Sequence, residues 1–372
     1  MNEMNATDTE RQVLRIAQVL NRMDSGGIEA VVLNYFRFID RGRFQFDFFC
    51  DENSSLPYRE EMEAGGAEIF LLPPYTHPLR YVRALEKALK AGHYDIAHVH
   101  MNAMSVFALY AAWRAGIPVR ICHNHTTASW REGARTVLKV LLRPWNRLFA
   151  TAFFACGRQA AEWMYGRKRV SDGKVLILPN AIDSDTYAFD AYTRLKIRQE
   201  LGIDETAFVV GHVGRFMKQK NHEFLIQVFS VLSKTVPGAV LLLIGEGKLE
   251  AEIRELAKRL GIGDRVIIAG VRDDVGRIYS AMDVFCLPSF YEGFPVVLLE
   301  AQANGLPVVC SVNVSSEVCL TDYVTRLSLD DSAPWVSALM SASRGAGKIP
   351  EHFELRSAVK TLEAAYRHLS KK

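Results

Sequence analysis

The chain has 372 residues, 49% hydrophobic and 23% charged, with a formal net charge of +3. That length exceeds what one hydrophobic core usually serves, so two domains are expected, and so small a net charge gives no ground for a nucleic-acid partner. No run reaches the roughly 18 apolar residues of a membrane-spanning helix, and the polar N-terminus lacks a signal-peptide core. The six cysteines have no CxxC spacing and lie mostly in apolar segments such as Phe49-Cys50 and Phe285-Cys286, a pattern of packed thiols in a reducing compartment.

A first strand is predicted over 14–20, followed by the turn Asn21-Arg22-Met23-Asp24-Ser25-Gly26-Gly27 and a helix over 28–39. Strands at 44–50, 68–72, 96–100 and 119–123 alternate with helices at 57–64, 79–91 and 105–115, which means an α/β unit with a mostly parallel sheet. A long helical stretch from about 133 repeats apolar residues at Ala134, Val137, Leu138 and Leu141. Its basic residues Arg131, Arg135, Lys139 and Arg143 follow four apart on another face, and Pro144 should kink or divide it. Segments 153–156 and 175–178 complete this half. The polar stretch 183–200 is expected to be the link to a second alternating series, with strands at 208–213, 239–244, 266–269, 284–287 and 307–310 and a last amphipathic helix at about 353–369. The expected division is 10–182, 183–350 and a terminal helix in 351–372. Two α/β halves place loops at the carboxyl ends of their strands, facing each other across a central cleft.

Pro288-Ser289-Phe290-Tyr291-Glu292-Gly293-Phe294-Pro295, running into Val296 to Glu300, carries two carboxylates eight residues apart around a loop that becomes a helix. Pro295 suits a first helical position, and the free N–H groups of such a terminus attract anions. Glu292 on the loop and Glu300 in the first turns can therefore serve two parts of one extended, negatively charged ligand, such as a nucleotide-sugar. Phe290 and Tyr291 either wall the sugar or pack. In the loop Gly211 to Asn221, Arg215 offers a planar fork and Lys220 a mobile point charge, both suited to neighbouring phosphates. Gly26-Gly27 can admit a diphosphate or an acceptor against the backbone, or make a tight turn with no ligand, and lacks the dinucleotide GxGxxG arrangement.

His123-Asn124-His125 closes a strand, with one histidine expected to face the cleft and the other to pack; no third ligand is evident for a metal. His98 and His100 pose the same question, with a structural role at least as well supported. Asp183-Ser184-Asp185 reads as capping or hinge structure, and Asp273-Asp274 as a helix cap. Residues 131–174 hold ten Lys/Arg against three acids. Without a recognition-helix context this favours anionic lipid headgroups or a phosphate-bearing acceptor over nucleic acid.

With these motifs in place the chain resembles the GT4 retaining glycosyltransferases, especially the branch of bacterial exopolysaccharide and capsule synthesis. The resemblance runs from 21–29 nearly to the end and is carried by Gln45-Phe46-Asp47-Phe48, His123-Asn124-His125, Asn180-Ala181-Ile182-Asp183, His212 to Arg215, Gln219 to His222, Ile244-Gly245-Glu246-Gly247 and Pro288 to Pro307. It implies a GT-B fold of two Rossmann-like domains, with the donor mainly in the second half, the acceptor mainly in the first, and the terminal helix returning to the first. Arg215 and Lys220 match donor-diphosphate contacts; Glu292 and Gly293, with Phe294 beside them, match the start of the Glu-x₇-Glu motif at the donor sugar. Glu300 matches the acid on the ribose hydroxyls, the backbone near Val271 and Arg272 receives the base, and Gly26 and Gly27 match the glycine loop over the phosphates. The histidine of the family falls on His123, with His125 left open by the spacing.

The resemblance further implies a UDP-sugar donor, no cofactor and no metal. It implies a cytoplasmic enzyme acting on a polyprenyl-diphosphate-linked saccharide acceptor at the inner membrane face, and the basic 131–147 helix suits such a partner through peripheral contact with that membrane. The competing readings are a nucleotide-sugar 2-epimerase of the same architecture and a non-catalytic saccharide-binding scaffold.

Overall fold

Apolar runs become buried parallel strands, and the chain builds two such sheets. The computed structural model describes residues 13–24, 26–126 and 134–371. Ser25 of the first turn and Arg131 of the basic helix lie outside the described residues. One unit holds the chain up to Pro179 together with the segment from Ala358; the other is Asn180–Ser357.

In the first unit the strands are β1 (Leu14–Val19), β2 (Phe44–Asp51), β3 (Ile69–Leu72), β4 (Ile96–Val99), β5 (Val119–Asn124), β6 (Ala152–Ala155) and β7 (Leu176–Ile177). They lie in the order β3-β2-β1-β4-β5-β6-β7, all paired parallel. The chain runs outward from β1 to β3 and then recrosses to β4, so the strand order reverses between β1 and β4, where a crevice opens at the carboxyl ends of an α/β sheet. A buried carboxylate pins the opposite end. Asp47 on β2 accepts from Arg15 Nη2 at 2.7 Å, from the Tyr94 hydroxyl at 2.9 Å and from the Glu68 N–H at 2.9 Å. Full pairing is the condition under which a charge is tolerated there.

The second unit has β8 (Val209–Val213), β9 (Val240–Ile244), β10 (Val266–Ile268), β11 (Val284–Leu287), β12 (Val308–Ser311) and β13 (Val324–Leu327) in the order β10-β9-β8-β11-β12-β13. Its reversal lies between β8 and β11. Val210, Leu225, Phe229, Leu241, Leu243, Val284 and Trp335 belong to one buried cluster. The Trp335 indole satisfies its N–H on the Ser328 carbonyl at 2.7 Å.

Two stretches differ from the sequence expectation. Residues 183–200, expected as a linker, form a short 3-10 turn, Ser184–Tyr187, and the helix Ala191–Glu200, capped by Asp190 accepting the Thr193 N–H at 2.7 Å. The helix was hidden because it docks partly through an arginine. Arg198 is buried, donating to the carbonyls of Ala281, Glu205 and Ala207 and to Asp283 at 2.7 Å. The strand β13 and the helix Ala333–Met340 were also absent from the expectation.

The basic stretch is divided at Pro144 into Ala134–Leu142, a 3-10 turn Arg143–Trp145 and Asn146–Phe149. Several of its apolar residues face outward: Leu141 is 63% exposed, Trp145 56% and Leu148 65%. Among the described residues no helix is long and apolar enough to cross a membrane.

Candidate active site

In the second unit the loops that follow β8 and β11 flank the reversal of strand order, and there they meet. The first loop is packed backbone to backbone against Gly245-Glu246-Gly247. The Phe216 N–H donates to the Glu246 carbonyl at 2.8 Å. Gly245 (φ +131°) and Gly247 (φ +156°) could carry no side chain, because a Cβ would lie 2.4 Å from the Gly214 oxygen and 2.5 Å from the Phe216 oxygen. The loop ends in a 3-10 turn, Lys218–Lys220, and Asn221 in the left-handed region (φ 55°) starts the helix His222–Thr235.

This loop holds the 288–294 segment through its own polar groups. The Phe290 N–H donates to the Gln219 carbonyl at 2.8 Å, Gln219 Nε2 to the Tyr291 carbonyl at 3.0 Å, and Asn221 Nδ2 to the Pro288 carbonyl at 3.2 Å. Asn180 Nδ2 donates to the Phe294 carbonyl at 2.9 Å. With both loops so fixed, Lys220 Nζ donates to Glu292 Oε1 at 2.7 Å. Arg215 is exposed. Phe294 is buried and stacked on Phe353, so it holds the loop from behind. Behind Lys220, buried His212 donates from Nδ1 to the Cys286 carbonyl at 2.8 Å, tying β8 to β11. Burial, with the Lys220 charge adding to it, brings its imidazole down to about 4.

Pro295 is the N-cap of the helix Val296–Ala303, one position before its expected place. Glu300 on that helix accepts from the Tyr279 hydroxyl at 2.6 Å and the Tyr187 hydroxyl at 3.2 Å. Burial raises its carboxyl group, and the two hydroxyls oppose the rise. Neither tyrosine carries a local signal in the sequence. Asp274 stands at an N-cap position, yet its side chain makes no capping bond. Arg272 draws the carboxylate away, donating to both its oxygens at 2.8 and 3.0 Å and to Glu200 at 2.6 Å, which corrects the expected cap. Val271 beside it is exposed.

In the first unit, Gly26 precedes the helix Gly27–Phe38. The Glu29 carboxylate folds over Gly26, 2.2 Å from where a Cβ would stand, while Gly27 has open space. His123 is fully buried at the end of β5. The expectation that His123 and His125 diverge is wrong. Residues two apart on a strand share a face, and the two rings stack at 4.1 Å. His98 and His100, from the end of β4, lie beside them. The partners missing from the pair in sequence are thus supplied by the neighbouring strand. Nitrogens of His98, His100 and His123 lie within 4.8 Å of one another. Hydrogen bonds already use both nitrogens of His98 and His100 and Nδ1 of His123, so this is no clear metal site. Burial is the main cause holding His98, His100 and His123 well below the usual imidazole range, reinforced by the neighbouring rings.

Residues 25–186 match the family described as Glycosyltransferase Family 4, and residues 193–339 match Glycosyl transferases group 1. The chain is 34% identical to the putative glycosyltransferase EpsF of Bacillus subtilis (strain 168), over 91% of this chain and 90% of that protein. It is 27% identical to the UDP-Gal:alpha-D-GlcNAc-diphosphoundecaprenol alpha-1,3-galactosyltransferase of Escherichia coli, over 88% of this chain and 87% of that protein. Among solved structures it is similar to Anabaena Alr3699/HepE in complex with UDP-glucose, with a TM-score of 0.74 at 19% identity, covering 96% of this chain and 97% of that one. This last likeness shows the fold, GT-B with two Rossmann-like α/β domains.

Proposed function

Because this chain belongs to the GT-B glycosyltransferases related to family 4 and group 1, enzymes that move sugar from a donor to an acceptor, we propose a retaining transfer from a UDP-sugar. The sugar is a hexose or N-acetylhexosamine. The acceptor is a polyprenyl-diphosphate-linked saccharide of exopolysaccharide or capsule synthesis. The observation that carries this reading is the Lys220–Glu292 pair, a cation and a carboxylate on the two loops that flank the strand reversal. The Escherichia coli relative, whose name gives a UDP-sugar donor and a diphosphoundecaprenol-linked acceptor, supports the same choice of substrates.

In this mechanism Lys220 and Arg215 oppose the charge that builds on the departing diphosphate, and N–H groups of the two loops add to them. Glu292 holds the donor sugar rather than attacking it. Glu300, its carboxylate oriented by Tyr187 and Tyr279, accepts from the ribose hydroxyls. The acceptor hydroxyl attacks from the face the leaving group departs, the anomeric C–O bond to the diphosphate breaks, and the hydroxyl proton passes to the departing phosphate oxygen. Orientation accounts for the two acids without a covalent intermediate.

Membrane contact belongs to this proposal. Leu141, Trp145 and Leu148 recur at helical spacing on an outward face, among the basic residues Lys139, Arg143 and Arg147. An apolar stripe with flanking cations fits the cytoplasmic face of an anionic bilayer, where a lipid-linked acceptor resides. The test is a UDP-sugar panel with and without a lipid extract, following UDP release and labelled sugar together. UDP release dependent on the extract, with label entering lipid, supports transfer. Donor turnover without an acceptor product points to the epimerase, and silence across the panel from folded protein points to a scaffold.

A further inference from the structure

Six buried residues of the first unit form one continuous hydrogen-bonded chain. Gln18 on β1 stands in register beside His98 on β4. His100, His123 and His125 share their sheet face, and Tyr366 of the terminal helix Leu355–Ser370 lies edge-on to His98. All six are buried.

The donors and acceptors along this chain can be assigned in turn. Gln18 Nε2 lies 3.2 Å from the Tyr366 hydroxyl, and an amide N–H only donates, so the hydroxyl accepts it. The hydroxyl hydrogen then goes to His98 Nδ1 at 2.7 Å. His98 carries its own proton on Nε2, which donates to His123 Nδ1 at 3.0 Å. His123 must in turn be protonated at Nε2, a buried atom with no hydrogen-bond partner among the described residues. On the other arm, Gln18 Oε1 accepts from His100 Nε2 at 2.9 Å, and His100 Nδ1 accepts from His125 Nε2 at 2.9 Å. Every donor points the same way, from His125 toward His123. A half-turn of the Gln18 amide would reverse all of them together and leave His123 Nε2 an acceptor.

We propose that Gln18, Tyr366 and His98 are positioning residues that lock His123 as its Nε2–H tautomer, making it a hydrogen-bond donor to a substrate oxygen rather than a base. The role toward substrate rests on the transfer reading above; the tautomer does not. An unpartnered buried N–H is costly, and a ligand oxygen is the group that would satisfy it. The tyrosine that directs the chain comes from the last helix, so the C-terminal segment sets the chemistry of a strand end near the middle of the first sheet.

Full-length protein labelled with 15N tests this through long-range 1H–15N spectra, which report the tautomer of each ring. The expected wild-type result is Nε2–H at both His98 and His123. Tyr366→Phe should leave both as mixtures of tautomers. In the transfer assay it should lower kcat about tenfold with KM for the UDP-sugar little changed. Gln18→Met, which keeps Tyr366 but removes the directing N–H, should produce the same mixing if Tyr366→Phe does not fold. A wild-type His123 protonated at Nδ1, or an unchanged His123 signature in both variants, overturns the relay. Mixed tautomers with undiminished kcat overturn its role toward substrate. Tautomers as expected in a wild type that turns over no UDP-sugar leave the relay standing and count against the transfer reading.

Discussion

Lys220 and Glu292, 72 residues apart in the chain, form an ion pair of 2.7 Å whose side chains are 16% and 10% exposed. Each therefore depends on the other for charge compensation, since an uncompensated charge at such depth is expensive. The pair also defines what a ligand must do. On the proposed reading a diphosphate attracts the lysine and sugar hydroxyls occupy the carboxylate, so donor binding replaces one ion pair with two new partners.

Lys220→Ala and Glu292→Ala should each reduce kcat about 10²- to 10³-fold, the usual loss for one electrostatic donor at a reacting centre. Each should cost about 1–3 kcal/mol of stability by stranding the other charge, and the double variant less than the sum of the two. Urea midpoints beside UDP-release kinetics measure both. Unchanged donor turnover in the two single variants would remove the phosphate and sugar assignments.

Glu300 gives a pH signature. Burial raises its carboxyl group above the unfolded value near 4.5, so the native state holds that proton more tightly. Its contribution to stability is therefore largest at low pH and falls as pH rises through the folded value. Glu300→Gln should gain stability relative to wild type as pH increases over that window, while losing affinity for the nucleotide. Tyr279→Phe should destabilise by about 1.5–3 kcal/mol at neutral pH, through loss of a hydrogen bond to a charged group. Thermal melts of the three proteins from pH 4 to 8 check the order.

The buried histidines predict acid sensitivity of the opposite sign. His98, His100, His123 and His212 all ionise below the unfolded imidazole value of about 6.5. The unfolded chain takes up their protons first, so stability is complete above that pH and is lost as pH falls below it. Each contributes up to about 1.4 kcal/mol per pH unit in that range. Urea midpoints should drop steeply from pH 6.5 to 5.5, and His123→Asn should flatten the slope. A midpoint insensitive to pH in that interval would contradict the neutral burial of the cluster.

The proposed membrane contact makes two separable predictions. Arg135→Gln with Lys139→Gln should weaken binding to anionic vesicles about tenfold or more, an effect that shrinks as salt rises. Leu141→Ser with Trp145→Ser should weaken it at every salt concentration, because the lost contribution is apolar. Co-sedimentation with anionic and neutral vesicles separates the two, and unchanged use of a lipid-linked acceptor by both double variants would sink the assignment of this face.

The sequence by itself determined the alternation of strands and helices, since parallel strands buried on both faces must be written as apolar runs such as Val240–Ile244. It also marked the loops that carry Lys220, Glu292 and Glu300, because glycine, proline and charge beside an apolar run have few structural uses. The shared face of His123 and His125 follows from the two-residue period of a strand, although the expectation had them diverge. The helix Ala191–Glu200 was not, because a buried arginine reads as a surface residue until its carbonyl partners are known. Only the tertiary structure decided which residues meet. The strand order reverses between β8 and β11, bringing together loops distant in sequence, and Tyr187 and Tyr279 reach Glu300 from elements with no motif of their own. Tyr366 reaches His98 across 268 residues. Local propensity acts over a turn or two of chain, whereas such contacts follow from strand order and the return of the last helix.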